Sequence, residues 1–495
     1  MRKNAGGDRV TQQHRKYVVG QMVLANWPAE GMPKVREALA DRPLGGYVFH
    51  SNDIKSPEWL RDIAEELWTL YQKQGWDPPW LAVTEEGGIV QRFRRWFNPP
   101  SAMSLGLLDN SQLSGEVGAL VGQFLRASGI NWNFAPSVDV LTQKYSHIIG
   151  TRSFGTDEEK VSSLAIPWLL GQQAQGVLST VKHFPGHGMT DRDSHIERPV
   201  VNIGWDEMAR HLIPYRAAFE AGTGAVMTAH IVYPRFDSLP ATLSSFWLTE
   251  VLRQELGFSG LVVTDALSMK GIAHYMDPIE ASVLAVSAGA DVIDCGGTFE
   301  QALSIFDAIY EATGRVLPET TVSEIESRIA HAKQRLAPPK DWPLWPDGEK
   351  LEAIYQKIAI NMRVRHSGYA RHVTKPLIEV WASGSPPTEV EEDAQEQPSD
   401  IFWLNTGTMQ RWDEVFQTIN AMHGSVILYT ENLWKLPLLV DRIKAAIGPR
   451  LEALVAIGDP VDEELFEGMS LFIKVCGNRA MARQVLQLSL SADRI

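Results

Sequence analysis

The sequence predicts a (β/α)8 barrel of the TIM type followed by a smaller αβ domain, sandwich-like in its layering. Over the first ~310 residues, eight short β-rich runs alternate with longer stretches of helical period, as parallel strands joined by helical crossovers require. Polar residues able to do chemistry recur just after those strands, at the face where barrels build their sites. At 495 residues the chain exceeds one ordinary domain, and a proline-rich stretch divides it. A doubly wound open sheet is the rival arrangement, and the placement of the polar residues favours the barrel.

In chain order the strand runs are 22–27 (MVLANW), 45–49 (GGYVF), 80–84 (WLAVT), 131–134 (NWNF), 178–182 (LSTVK), 225–228 (AVMT), 261–264 (LVVT) and 291–293 (DVI). Helical stretches at 57–74, 111–127, 158–175, 205–221, 245–256, 278–288 and 298–312 separate them. Glu85 and Glu86 follow the third run, Lys182 and His183 end the fifth, His230 follows the sixth and Asp265 the seventh. Residues 1–335 form the expected barrel domain; residues 336–350, LAPPKDWPLWPDGEK with four prolines, read as a linker. Residues 351–495 make the second domain, with a helix at 351–362 and strands at 377–381, 401–404, 426–429, 454–457 and 471–475. Its acidic, Pro-flanked stretch 386–400 reads as a solvated surface insertion, and the domain shows neither a glycine-rich phosphate loop nor a catalytic cluster.

Composition narrows the class. With 44% hydrophobic and 21% charged residues the chain is that of a soluble globular protein. A net charge of -14 and a pI near 5.5 speak against a nucleic-acid partner, which would need a basic face. No apolar run is long enough to cross a membrane, and the first residues lack the apolar core of a signal peptide. Only two cysteines occur, Cys295 and Cys476, far apart and without zinc-binding neighbours, so buried thiols and a cytoplasmic, disulfide-free protein are expected. The oligomeric state is not written in the sequence.

The richest stretch is 182–195, KHFPGHGMTDRDSH, with three histidines, two aspartates, a lysine and an arginine within 14 residues. Pro185, Gly186 and Gly188 supply a stiff corner and unusual backbone angles. Asp193 and His195 are two apart, so in an extended segment their side chains point the same way and the carboxylate can hold the imidazole and raise its proton affinity. Such a pair suits a general acid/base near neutral pH, although loops of this kind are often no more than solvated connections. Asp265 ends an apolar strand and projects at the barrel rim, where a carboxylate can attack a sugar's anomeric carbon; the alternative is that it caps the next helix.

These motifs are similar to those of the family 3 glycoside hydrolases, in the bacterial β-N-acetylhexosaminidase branch that trims N-acetylglucosamine from peptidoglycan fragments. The resemblance rests on TEEGGIVQRF (84–93), NFAPSVDV (133–140), IIGTRSFGTD (148–157), KHFPGHGMTDRDSH (182–195), VMTAHIVYPRFDSLPATLS (226–244) and GFSGLVVTDALSMKGI (257–272). It implies a retaining mechanism with Asp265 as nucleophile and His195, oriented by Asp193, as acid/base. It implies that the Gly/Pro loop closes over bound sugar, that Arg152, Lys182 and His183 bind the N-acetylglucosamine ring, and that His187 lies nearby. Asp139 matches a position that helps bind sugar, or is a structural strand-end residue; Met227 and Met269 line the pocket or belong to the core. No metal or organic cofactor is implied.

One departure stands out. Where the family carries Asp two residues before the Glu of EGG, gripping the sugar's outer hydroxyls, this chain has Thr84 followed by Glu85. A hydroxyl makes weaker hydrogen bonds than a carboxylate, so either Glu85 swings in or binding of those hydroxyls is altered. The expected function is an exo-acting β-N-acetylglucosaminidase for carbohydrate substrates. The alternatives are a β-glycosidase or phosphorylase for a different sugar, and a glycan-binding sensor without activity.

Overall fold

Eight parallel strands form a ring: β1 Val23–Asn26, β2 Gly46–Val48, β3 Trp80–Val83, β4 Trp132–Asn133, β5 Leu178–Phe184, β6 Ala225–Thr228, β7 Leu261–Val263 and β8 Ile293–Asp294. Neighbours run β7-β6-β5-β4-β3-β2-β1-β8, and a bridge between Val263 and Val292, with the Thr264 amide donating to the Val292 carbonyl at 3.0 Å, joins the two ends. Each strand lies within two residues of the apolar run that predicts it, so the chain folds as the expected (β/α)8 barrel. The computed structural model describes residues 5–143, 146, 148–190 and 198–365, and further on 377–383, 401–404, 412–422, 425–431, 437–447, 451–456 and 472–474. Asp193, His195, Cys476 and the acidic stretch 386–400 lie outside the described residues.

Register decides which side chains enter the barrel. Leu24 pairs with Gly46 and Asp294, Gly46 with Trp80, Ala82 with Trp132, Trp132 with Leu178, Thr180 with Ala225, and Ala225 with Leu261. Residues paired in register share a face, and every second residue returns to it. That face is the inner one: Trp80 and Trp132 meet across it with ring centroids 4.8 Å apart, and the Trp132 indole donates to Thr180 Oγ1 at 2.7 Å. Asn133 and Ser179, of opposite parity, reach Gln172 of the outer helix Glu158–Gln173 at 2.7 and 2.5 Å. Towards the strand ends and just past them, the inner face carries Thr84, Glu86, Lys182, Met227, Asp265 and Asp294.

Outer helices include Pro57–Lys73, Ser111–Ala127, Trp205–Glu220, Pro278–Ala288 and Phe299–Ala312, where the sequence places them. Phe246–Glu255 is wound as a π-helix, a distinction that helical period alone does not make. The proline-rich stretch is not a free linker. Its Trp342 is buried and receives Arg126 at 4.8 Å and Arg61 at 5.7 Å over its ring, while Trp345 donates to Ser128 Oγ at 3.2 Å. Tryptophan area, which the prolines mask in a compositional reading, binds this segment to the barrel wall. The helix that follows, Gly348–Arg365, likewise buries Ile354 and Tyr355 in the barrel core.

Five further strands, β9 Leu377–Ser383, β10 Ile401–Leu404, β11 Ser425–Glu431, β12 Leu451–Ala456 and β13 Phe472–Lys474, form a second, wholly parallel sheet in the order β10-β9-β11-β12-β13. Cys295 is buried, as expected. Among the described residues no helix is long and apolar enough to cross a membrane.

Candidate active site

The barrel mouth is organised by one carboxylate. Glu86 accepts a two-pronged bond from Arg152, Nε to Oε2 at 2.8 Å and Nη2 to Oε1 at 2.7 Å, and its Oε1 also accepts from Lys182 Nζ at 2.5 Å. All three residues are buried. Burial alone would push the Glu86 carboxyl up, but the charges and hydrogen bonds of Arg152 and Lys182 overcome it and hold it well below the usual carboxylate range. Burial also pulls Lys182 down, against the opposing pull of Glu86. Arg152 is raised: the Glu86 charge and hydrogen bond outweigh burial, and Asp265 acts in the same direction. Arg152 sits on the short 3-10 turn Gly150–Arg152, while Lys182 comes from β5, so two separate elements deliver cations to one point.

Behind this cluster lies a second acid. Asp139 Oδ2 accepts from His183 Nδ1 at 2.7 Å and from Ser137 Oγ at 3.0 Å, and its Oδ1 accepts the His187 amide at 2.5 Å. Arg152 Nη2, which can only donate, lies 3.2 Å from His183 Nε2. That contact assigns the proton of neutral His183 to Nδ1 and leaves Nε2 as acceptor. At 1% exposure, and with four donors on it, Asp139 holds His183 and His187 in place. His187 packs edge-on to His183 at 5.5 Å, and its Nδ1 bonds Thr190 Oγ1 at 2.7 Å; burial first, then the neighbouring His183, pull it down to about 4. Gly188 lets this loop pass against the preceding one, since a Cβ there would lie 1.9 Å from the Val140 carbonyl oxygen.

Asp265 stands half-buried on the inner face, its Oδ1 accepting the Ala266 amide at 2.8 Å. It caps no helix: the next one, Lys270–Ala273, begins after Met269 without a side-chain cap. The Asp265–Ala266 turn is held from two sides. His230 Nε2 lies 3.0 Å from the Ala266 carbonyl and must donate to it, and the Leu267 amide donates to the Asp294 carbonyl at 3.0 Å. Met227 is buried on the inner wall, and Met269 is buried beside the same turn.

Thr84 is half-buried on the inner face, whereas Glu85 points the other way and does not swing in. The Glu85 carboxylate is fully buried and accepts the amides of Arg92 at 2.6 Å and Phe93 at 3.2 Å, so it ties down a loop where sequence reasoning expected contact with sugar. Burial pushes it up to about 7, against the pull of those amides and of Arg92. Two residues to which sequence reasoning gave no role stand in this cluster. Glu86 is the hub, and Arg92, whose charge acts on Glu85, Glu86 and Arg152, adds a third cation. Thus Arg152, Lys182 and His183 are brought together, with Asp265 close enough for its charge to act on both cations. The donors of three cations and the acceptors of the inward carboxylates suit a polyhydroxylated ligand.

The sequence model described as the glycosyl hydrolase family 3 N terminal domain matches residues 17–331, the whole of this barrel. The chain belongs to glycosyl hydrolase family 3. As a member of that family it is an enzyme, a glycoside hydrolase with carbohydrate substrates. Over 265 residues it is 38% identical to a β-hexosaminidase of Thiobacillus denitrificans, covering 52% of this chain and 72% of that one. Over 283 residues it is 36% identical to a β-hexosaminidase of Tolumonas auensis, covering 55% and 82%. Its structure is similar to that of a family 3 β-N-acetylglucosaminidase from Paenibacillus sp. FPU-7, with a TM-score of 0.83, 28% identity and 96% of each chain covered.

Proposed function

We propose that this family 3 enzyme is an exo-acting retaining β-N-acetylglucosaminidase, removing terminal β-linked N-acetylglucosamine from peptidoglycan fragments or related glycans in a cytoplasmic salvage role. The observation that carries the reading is Asp265 on the inner wall at the end of β7, beside the Glu86-Arg152-Lys182 cluster. The names of its β-hexosaminidase relatives support the sugar, and two cysteines in 495 residues accord with the compartment.

In this reading Arg152, Lys182 and His183 hold the sugar, and the Asp265 carboxylate attacks its anomeric carbon as the bond to the leaving oxygen breaks. Protonated His195, oriented by Asp193, gives its proton to that oxygen. Neutral His195 then takes a proton from water, whose oxygen attacks the anomeric carbon and displaces Asp265. An imidazole with an ordinary pKa near ~6.5 serves both steps around neutrality.

Thr84 favours a second reading. A hydroxyl on the inner wall where relatives would offer a carboxylate fits a β-glycosidase or phosphorylase for a different sugar. Release of p-nitrophenol from the β-N-acetylglucosaminide and the β-glucoside, with and without phosphate, separates the two. Preference for the acetylated sugar independent of phosphate supports the first; preference for the glucoside, or acceleration by phosphate, supports the second. Binding of either sugar without turnover, unaffected by Asp265→Ala, would establish a sensor.

A further inference from the structure

Strand β8 ends on a carboxylate that this mechanism leaves unused. Asp294 pairs in register with Leu24 of β1, which puts it on the inner face with Trp80, Glu86 and Lys182. On its other side Val292 pairs with Val263, and two residues further along both segments bring Asp294 beside Asp265. Adjacent strands lie about 4.8 Å apart, so two acids stand next to each other on one wall of the barrel. Burial first, and the Asp265 charge second, push the Asp294 carboxyl up to about 7.

The backbone of Asp294 is fully engaged, its amide donating to Thr264 Oγ1 at 3.0 Å and its carbonyl accepting from Leu267 at 3.0 Å. The side chain is not. Asp294 is 6% exposed, its Oδ1 accepts the Gly296 amide at 3.0 Å, and its Oδ2 has no hydrogen-bond partner among the described residues. Capping does not explain it, because Thr298 and Gln301 already cap the helix that follows. Gly296, at φ 62°, keeps the β8 loop pressed on the nucleophile turn: a Cβ there would lie 2.3 Å from Ala266 Cβ. The unpaired Oδ2 is not sealed in the protein interior, so it stands beside a like charge as an acceptor that a ligand's donor can reach.

We propose that Asp294 contacts the substrate, its Oδ2 accepting from the hydrogen-bond donor on ring carbon 2 of the sugar whose anomeric carbon Asp265 attacks. The inference rests on the glycosidase reading of Asp265. Of the two ring atoms bonded to the anomeric carbon, carbon 2 alone carries a donor, the N–H of an acetamido group or a hydroxyl; the ring oxygen carries none. An acceptor one strand from the nucleophile reaches that donor without displacing Asp265. Asp294 is then a specificity-determining residue, reading the position at which N-acetylglucosamine and glucose differ.

The test compares wild type, Asp294→Leu and the isosteric Asp294→Asn on the p-nitrophenyl β-glycosides of N-acetylglucosamine, glucose and 2-deoxyglucose, the last intrinsically more reactive at its anomeric centre. On whichever of the first two the wild type prefers, kcat/KM falls about 100-fold in the leucine variant and about 10-fold in the asparagine variant, which keeps one acceptor. On the 2-deoxyglucoside both variants stay within about threefold of wild type, since no donor is there to lose. Equal loss on all three substrates, or loss on none, overturns the assignment, and the asparagine variant decides the matter if the leucine variant fails to fold. A wild type that releases nothing from any of the three overturns the glycosidase reading itself.

Discussion

Glu86 and Arg152 form a two-pronged ion pair inside the barrel mouth, with N–O distances of 2.8 and 2.7 Å and side-chain exposures of 5% and 8%. A buried pair of this geometry is weak evidence of stabilisation, but removing one partner strands the other charge. Glu86 answers to Lys182 as well, so its loss strands two cations.

Glu86→Ala therefore destabilises the barrel by roughly 3–5 kcal/mol. Glu86→Gln, which keeps the shape and loses the charge, lowers kcat/KM by about 100-fold because Arg152 and Lys182 are no longer aimed. Denaturant unfolding and steady-state kinetics of the two variants check both; a Gln variant with unchanged kinetics would remove Glu86 from the site.

The alternation of β3 explains what was legible here and what was not. Trp80, Ala82, Thr84 and Glu86 share one parity, so the period-2 pattern already distinguishes the inward Glu86 from the outward Glu85. Sequence reasoning saw both acids at the strand end but ranked Glu85 by its neighbour Thr84, not by parity. The eight strands were readable because each is an apolar run buried on both faces and ended by polar residues. Asp294 was lost because β8 is two residues long and its run DVI closes one residue early. The helix Met32–Leu39 is not among the stretches that the sequence predicts; its Pro33 sits in the first turn, where proline fits. Arg152, Lys182, His183 and Asp265, which lie together at the barrel mouth, were named from chemistry at strand ends and from motif resemblance. No periodicity shows that an arginine from a 3-10 turn folds back onto a β3 acid.

Glu85 gives a pH prediction with a definite sign. Its carboxyl lies at about 7 in the folded chain, burial being the main cause, and near ~4.3 when unfolded. The folded state thus binds the extra proton, and its contribution to stability falls as pH rises from ~4.3 to ~7, by up to about 1.4 kcal/mol per unit. Glu85→Gln lacks this loss, so its stability relative to wild type climbs across that window and levels off above it. Denaturant midpoints at pH 5, 6, 7 and 8 measure the trend; a constant difference would contradict it.

Asp139→Asn puts an amide where four donors already point, so at least one buried donor loses its acceptor. A cost of about 2–4 kcal/mol in stability is expected, with a rise in KM as His183 turns away from Arg152. Nitrogen-15 shifts of the His183 ring give the separate readout: the Nδ1–H tautomer dominates in wild type and its dominance is lost in the variant.

His230 supports the turn that carries Asp265 through the Ala266 carbonyl, 3.0 Å from its Nε2. His230→Ala is expected to lower kcat by about 10- to 100-fold with little change in KM, since the turn carrying Asp265 loses a support without losing a sugar contact. A change confined to KM would assign His230 to substrate binding instead.

In the proposed mechanism Asp265 becomes covalently bound to the sugar. Incubation with a fluorinated N-acetylglucosaminyl donor that slows breakdown of the intermediate, followed by peptide mass mapping, tests it directly. One glycosyl adduct is expected, at the carboxylate of Asp265. An adduct on any other residue, or turnover of the natural anomer with inversion and no adduct, would contradict it.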